Sequence, residues 1–404
     1  MTSVPHRCCS EPFRVFFPLA FFASIVGVLL WPLSLAGLLN FHPLDAHARW
    51  MIQGFGGCLI VGFVGTAGPR LMGSECWSRA ELIWHTLMAL SMLTALSFAR
   101  ILVADLLAGF WLLGVTCSMI GRLIFDRNGF PPPGMVLVFF GLITAIVSSF
   151  ALALHGIIGF SFFWHQFWRN LYFQGFLWLP VIGVAPYLIP RFFGLKSLHS
   201  FEEGRGVPKG WLKYWIISVI SGTLLLASFA IEVWLNQKAG LYLRAFTVSA
   251  HLFAFVPGIL SLKKCNALGL SIRWVPWCAA VGWLAIIFFP GLRTGVLHLM
   301  FIGGAAIVML AVSTRVILGH IDRHDRLALP MKWYHLVWSL LLLTAATRLS
   351  ADFVPKVRIS HLSYAACLWL IVIVFWSVKI RRDLKSPLPN PSTRGNCPKR
   401  KRKR

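Results

Sequence analysis

Runs of about twenty consecutive apolar residues recur along the whole of this 404-residue chain. That is the length an α-helix needs to cross a bilayer. Only helices or a closed barrel can span lipid with every backbone polar group satisfied. The runs are continuous rather than alternating, which is the pattern of helices and not of barrel strands. Charged residues make up 13% of the chain, about half the share of a soluble domain, and hydrophobic residues 57%. The fold class is therefore all-α, a polytopic transmembrane helix bundle.

Twelve spans are expected, near 15–39, 47–69, 80–99, 101–124, 134–156, 168–190, 212–235, 241–262, 274–290, 294–318, 333–349 and 360–379. The third and fourth are nearly continuous and turn at Arg100. Residues 1–14 form an N-terminal cytoplasmic segment, 15–380 the twelve-helix domain and 381–404 a basic cytoplasmic tail. An even count puts both termini on one side. Lys and Arg favour that side with or without the tail, so both termini are expected in the cytoplasm. The first apolar run lacks a small-x-small cleavage site and reads as a span, not a removed signal. No repeat of one half of the chain in the other stands out.

The formal charge of +25 does not point to nucleic acid. Much of the excess sits in the tail, which ends "PKRKRKR" and reads as a topology anchor that also meets anionic lipid. The expected partner is the bilayer. Nine cysteines are an odd number. Cys58, Cys117, Cys278 and Cys367 fall in spans. Cys8, Cys9, Cys76, Cys265 and Cys397 fall on the expected cytoplasmic side, so reduced thiols are expected rather than a disulfide framework.

The segment "HARWMIQGFGGCLIVGFVGTAGPRLMG", residues 47–73, opens on ionisable side chains and carries seven glycines. His47, Met51, Gly54 and Cys58 share one helical stripe. Imidazole, thioether and thiol suit copper or haem iron, while packing alone also accounts for Met51 and Cys58. Gly62, Gly65 and Gly68 allow close approach of another helix or a flat macrocycle. In the tenth span His298, Ala305, Met309 and His320 share a face. The two histidines stand about 33 Å apart at 1.5 Å per residue, so one metal cannot hold both. Arg315 either snorkels or pairs with a haem propionate. His251 lies in mid-span and His85 near the inner end. An ionisable residue within a span is a site candidate because burying it is costly. Asp105 and Glu232 are the main acids within spans, and their scarcity argues against a proton-coupled pump. No C-x-x-C-H occurs, so a covalently attached c-type haem is excluded and any haem is expected to be b-type.

These two segments resemble the NnrS family of bacterial membrane proteins. A family pattern like W-H-A-H-E-M-L-x-G-F, then G-F-L-x-T-A-x-P, is met by "DAHARWMIQGF" and "GFVGTAGP". His47, Met51, Gly54, Phe55, Gly62, Phe63, Thr66, Ala67 and Pro69 match. A later pattern like H-A-L-T-V-G, then L-A-V-M-T-R-x-x-L-G-H, is met by "HLMFIG" and "LAVSTRVILGH". His298, Gly303, Thr314, Arg315, Gly319 and His320 match. Arg49 and Trp50 stand where many members have a second histidine and a glutamate, which implies either a different ligand set or a metal content that does not carry over.

The resemblance implies a haem- and copper-containing protein of the bacterial inner membrane that is linked to nitric oxide metabolism or nitrosative-stress tolerance. His47, His298 and His251 are then the first ligand candidates, with Met51 as a copper ligand. His85, His320 and Arg315 follow as cofactor-binding candidates. Nitric oxide is the implied ligand and a respiratory-chain component the implied partner. Two other readings fit twelve spans. One is a secondary transporter, with prolines such as Pro180 and Pro186 breaking helices near a substrate site. The other is an accessory subunit of a respiratory oxidase or reductase.

Overall fold

The computed structural model describes residues 11–386, apart from 202, 203, 205, 262–264 and 322. The basic tail beyond 386 and the first ten residues lie outside the described residues. Twelve long helices follow one another: α1 Phe13–Leu35, α2 Leu44–Leu71, α3 Arg79–Ser97, α4 Ile101–Asp126, α5 Met135–Ile158, α6 Phe162–Phe193, α7 Trp211–Leu235, α8 Gln237–Phe255, α9 Ala267–Phe288, α10 Pro290–His320, α11 Lys332–Phe353 and α12 Pro355–Lys385. They correspond one to one with the twelve expected spans. Eleven are long and apolar enough to cross a membrane. The other, α8, is a 19-residue helix made less apolar by Gln237, Lys238 and Arg244. The turn at Arg100 is tight, with Ala99 in the left-handed region at φ 53°.

Consecutive helices pack as antiparallel neighbours, and α12 packs back on α1, which closes the ring. Three helices form its centre. In α2, α6 and α10 the buried share of the apolar stretch is 83%, 72% and 72%, against 56% or less in the other eight of those eleven. Each is the second helix of a successive group of four. The sequence carries a trace of this order. Gln53-Gly54-Phe55 in α2 recurs as Gln174-Gly175-Phe176 in α6, and Pro69-Arg70-x-x-Gly73 recurs at the same spacing as Pro190-Arg191-x-x-Gly194. A two-fold comparison of halves misses a pattern spaced in thirds.

Two of the spaces between central helices are filled by buried ion pairs. Between α2 and α6, Arg49 of α2 donates to both carboxylate oxygens of Asp105 on α4, at 2.8 and 2.7 Å, and Gln53 Nε2 donates to Asp105 at 2.6 Å. Between α6 and α10, Arg244 of α8 is fully buried and pairs with Glu232 of α7 at 2.5 Å. Arg244 and Trp283 both donate to Gln174 Oε1, at 3.1 and 2.8 Å. Gln53 and Gln174, the paired glutamines of the recurring tripeptide, thus each anchor one ion pair. An isolated charge at this depth is expensive, so each carboxylate is there because of its arginine.

The glycines of the second span serve helix packing rather than a cofactor. At Gly65 an added Cβ would lie 2.6 Å from the Trp77 ring, which fixes the approach of the segment leading into α3. Gly62 faces Phe16 and Phe17, and Gly68 faces Met119. Of the described cysteines, Cys58, Cys117, Cys265, Cys278 and Cys367 are free, whereas Cys76 is disulfide-bonded. The expectation of reduced thiols therefore fails at Cys76.

His199, in the loop between α6 and α7, is 2% exposed and packs against Tyr214 and Phe255. Burial lowers its pKa to about 4. The folded pKa is below the unfolded value, so the neutral ring's contribution is present above pH ~6.5 and is lost as pH falls toward about 4. Unfolding midpoints measured across that window should drop for the wild type and flatten for His199→Phe. A parallel drop in both proteins would reject the assignment.

Candidate functional site

The third space, between α10 and α2, opens into a cavity of about 250 Å³. It is closed by α1, α11 and α12, with Trp31 and Trp369 in its wall. Each central helix carries a π-helical segment near its start: Trp50–Gly57 in α2, Leu171–Gly175 in α6 and Leu299–Ala306 in α10. All three segments contribute to the cavity wall. Such widened turns are rare and occur mostly at functional sites. Here they coincide with Gly54, Gly56 and Gly57, with Gly175, and with Gly303 and Gly304, where small residues let neighbours fill around the bulge.

His47 and His298 face one another across this space, with ring centres 6.5 Å apart and planes inclined by 18°. His47 Nδ1 donates to the Gly27 carbonyl at 2.8 Å, and His298 Nδ1 donates to the Thr294 carbonyl at 2.7 Å. A carbonyl can only accept, so each Nδ1 carries the proton. In the neutral ring Nε2 is then a free lone pair, the form that binds a metal. Met51 and Met309 also line the cavity. The Met51 sulfur lies against Gly27, where a Cβ would stand 3.3 Å from it.

The lining includes Arg169, Arg293 and Arg348 but no carboxylate among the described residues. Arg293 pairs with Glu232 at 2.5 Å and Arg348 with Asp352 at 3.1 Å, and both acids lie outside the wall. Below the main cavity is a smaller one of about 60 Å³, wholly apolar in its wall except for Ser313, which shares Met309 with it.

Of the residues expected from the sequence, His47, His298 and Met51 share the cavity and the other four do not. His251 is buried on α8 with Nδ1 3.0 Å from Ser221 Oγ. His85 on α3 packs on Trp77, ring centres 4.6 Å apart. His320 closes α10 at the opposite end, with Nδ1 donating to the Val316 carbonyl at 2.7 Å and its ring edge-on to Phe13. Arg315 lies over the Phe192 ring at 5.0 Å rather than in the cavity. The pairing of Arg315 with a cofactor carboxylate therefore has no geometry to support it.

The arginines that line the cavity are Arg169, Arg293 and Arg348, which no motif of the sequence singled out. The stripe His47–Met51–Gly54–Cys58 also breaks. Gly54 faces Ala23 and Leu93, and Cys58 is buried outside the cavity wall. The π-helical segment rotates everything beyond Trp50 out of the 3.6-residue register. Arg49 and Trp50, the two departures from the family pattern, both point away from the cavity, Arg49 into Asp105 and Trp50 against Gly27 and Phe22.

Among the described residues no three of His, Cys, Asp or Glu gather as a metal cluster. The donor set on hand is two imidazoles with thioethers beside them, which suits haem iron or copper and not the oxygen-seeking cations. Metal–imidazole bonds are about 2 Å long, so rings this far apart leave room for one metal between them. The residues fit the group. No curated protein matches the chain. The family described as NnrS protein matches residues 7–387, nearly its whole length. With that match added to the twelve helices and the two motif segments, the chain belongs to the NnrS family.

Proposed function

We propose that this is a haem- or copper-binding protein of the bacterial inner membrane, with both termini cytoplasmic, that acts in the response to or metabolism of nitric oxide. The observation that carries the reading is the opposed pair His47 and His298, each with its Nδ1 proton committed to a backbone carbonyl. A haem or copper centre held there supplies a metal that binds nitric oxide and exchanges one electron.

The chain's own residues do the rest. Gly27 and Thr294 fix the tautomer and the aim of both rings, the outer-shell role that governs metal affinity. The Arg348 cation lines the same cavity, acts on both rings and favours extra negative charge on whatever they hold. Trp31 and Trp369 limit water. The apolar side cavity next to Met309 suits a small nonpolar diatomic, since apolar cavities of this kind stay dry. Met51, beside His47, is the soft donor that favours copper.

The test is an optical spectrum with metal analysis on protein purified from haem-replete, copper-replete cells. A Soret band or bound copper is expected, with a spectral change on adding nitric oxide. A colourless preparation free of both metals would reject the proposal.

A further inference from the structure

Three hydrogen-bond donors of residues that line the cavity find no acceptor. Arg169 Nε, Asn170 Nδ2 and Arg293 Nη1 are each buried and unpartnered. All three residues line the cavity. Asn170 is 8% exposed, and its amide orientation is set by its neighbours. Gln174 Nε2 and Arg293 Nη2 both donate to Asn170 Oδ1, at 3.5 and 3.4 Å, which turns Nδ2 outward as the donor.

The acids that face this cluster are already engaged. Glu232 gives one oxygen to Arg293 and the other to Arg244, and Asp45 lies 3.8 Å from Arg49. Leaving a buried donor unmade costs about 1–3 kcal/mol. Three of them in the wall of one cavity, two on guanidinium groups, describe a site built for an acceptor. Guanidinium presents its N–H groups in a planar fork that matches a two-oxygen anion.

We infer that Arg169, Asn170 and Arg293 form a subsite for a planar two-oxygen anion, a carboxylate or an oxyanion of the same shape. The anion has two available sources. One is a carboxylate carried by the cofactor seated between His47 and His298, and this source alone rests on the proposed function. The other is a small free oxyanion that enters the cavity. The three donors lie on α6 and at the start of α10, two of the central helices, so an anion here ties those helices together.

Formate, with nitrite beside it, is the probe for purified full-length protein in detergent, prepared with and without cofactor. Cofactor-free wild type should bind formate by titration calorimetry. Arg169→Gln and Asn170→Ala should bind it about tenfold more weakly, the loss of one charge-assisted or neutral bond. Arg127→Gln, on the loop after α4 and stacked on Phe130, should bind as wild type. If loading the cofactor abolishes formate binding and Arg169→Gln weakens cofactor binding about tenfold, the cofactor's own carboxylate is the ligand. If loaded protein still binds formate and nitrite, the subsite serves a free anion. The inference is overturned if cofactor-free protein binds neither probe and Arg169→Gln leaves cofactor affinity unchanged, or if Arg127→Gln weakens formate as much as Arg169→Gln does. A protein that takes up no haem or copper still gives a readable result in the cofactor-free arm.

Discussion

Alanine at Asp105 is expected to cost about 3–5 kcal/mol and to leave little folded protein in detergent. Arg49 is 5% exposed and its two short hydrogen bonds both go to that carboxylate, with Asp45 contributing only longer contacts, 3.4 Å to its carbonyl and 3.8 Å to its carboxylate. Removing the acid strands a guanidinium among apolar helices. Removing both charges together does not, because a buried pair repays little more than its own desolvation. The double variant Arg49→Met, Asp105→Leu should therefore recover most of the stability. Thermal unfolding of the purified variants measures both. Equal damage from the single and double changes would show that the pair is not what braces α2 against α4. The double variant also separates brace from site, since Arg49 points away from the cavity: cofactor content should survive in it.

The second large effect concerns the imidazoles. His298→Ala and His47→Ala should each lower metal or haem affinity by more than the roughly 10–100-fold that outer-shell changes cause. His251→Ala, His85→Ala and His320→Ala should leave occupancy near that of the wild type, because those rings lie elsewhere. Metal analysis and the Soret absorbance of the five variants give the comparison. Undiminished occupancy in both His47→Ala and His298→Ala would dismiss the cavity as the cofactor site. Loss of copper but not haem in Met51→Ala would identify which metal the His47 side holds.

The span order was open to reading because lipid demands long apolar helices and the chain supplies them with few interruptions. Even α8, the least apolar of the twelve, falls where expected. The pairing of spans in space was not open to reading. Asp105 and Glu232 are conspicuous in the sequence as intramembrane acids, but their partners lie 56 and 12 residues away, and helix periodicity does not link separate helices.

The site was half legible. His47 and His298 stand at the starts of two motif segments, whereas Arg169, Asn170 and Arg293 sit at helix starts where basic residues usually pass for interface anchors. The recurring Gln-Gly-Phe and Pro-Arg-x-x-Gly of α2 and α6 were the signal that could have found them. They mark α6 as an equivalent of α2 and so place residues 169–174 beside the cavity.

The widened turns carry a consequence for how such a chain tolerates change in length. Each holds surplus backbone relative to an ordinary helix, so deleting a single residue from 50–57 would leave a chain still able to wind as unbroken α-helix. The far side would keep nearly its present facing, because the surplus residue is what the wide turn absorbs, whereas the same deletion from the regular helix at 58–71 would swing everything beyond it by about 100°. A loss that the wide turn absorbs would, a few residues later between 58 and 64, turn Gly65 away from Trp77 while hydropathy and helix content stayed the same.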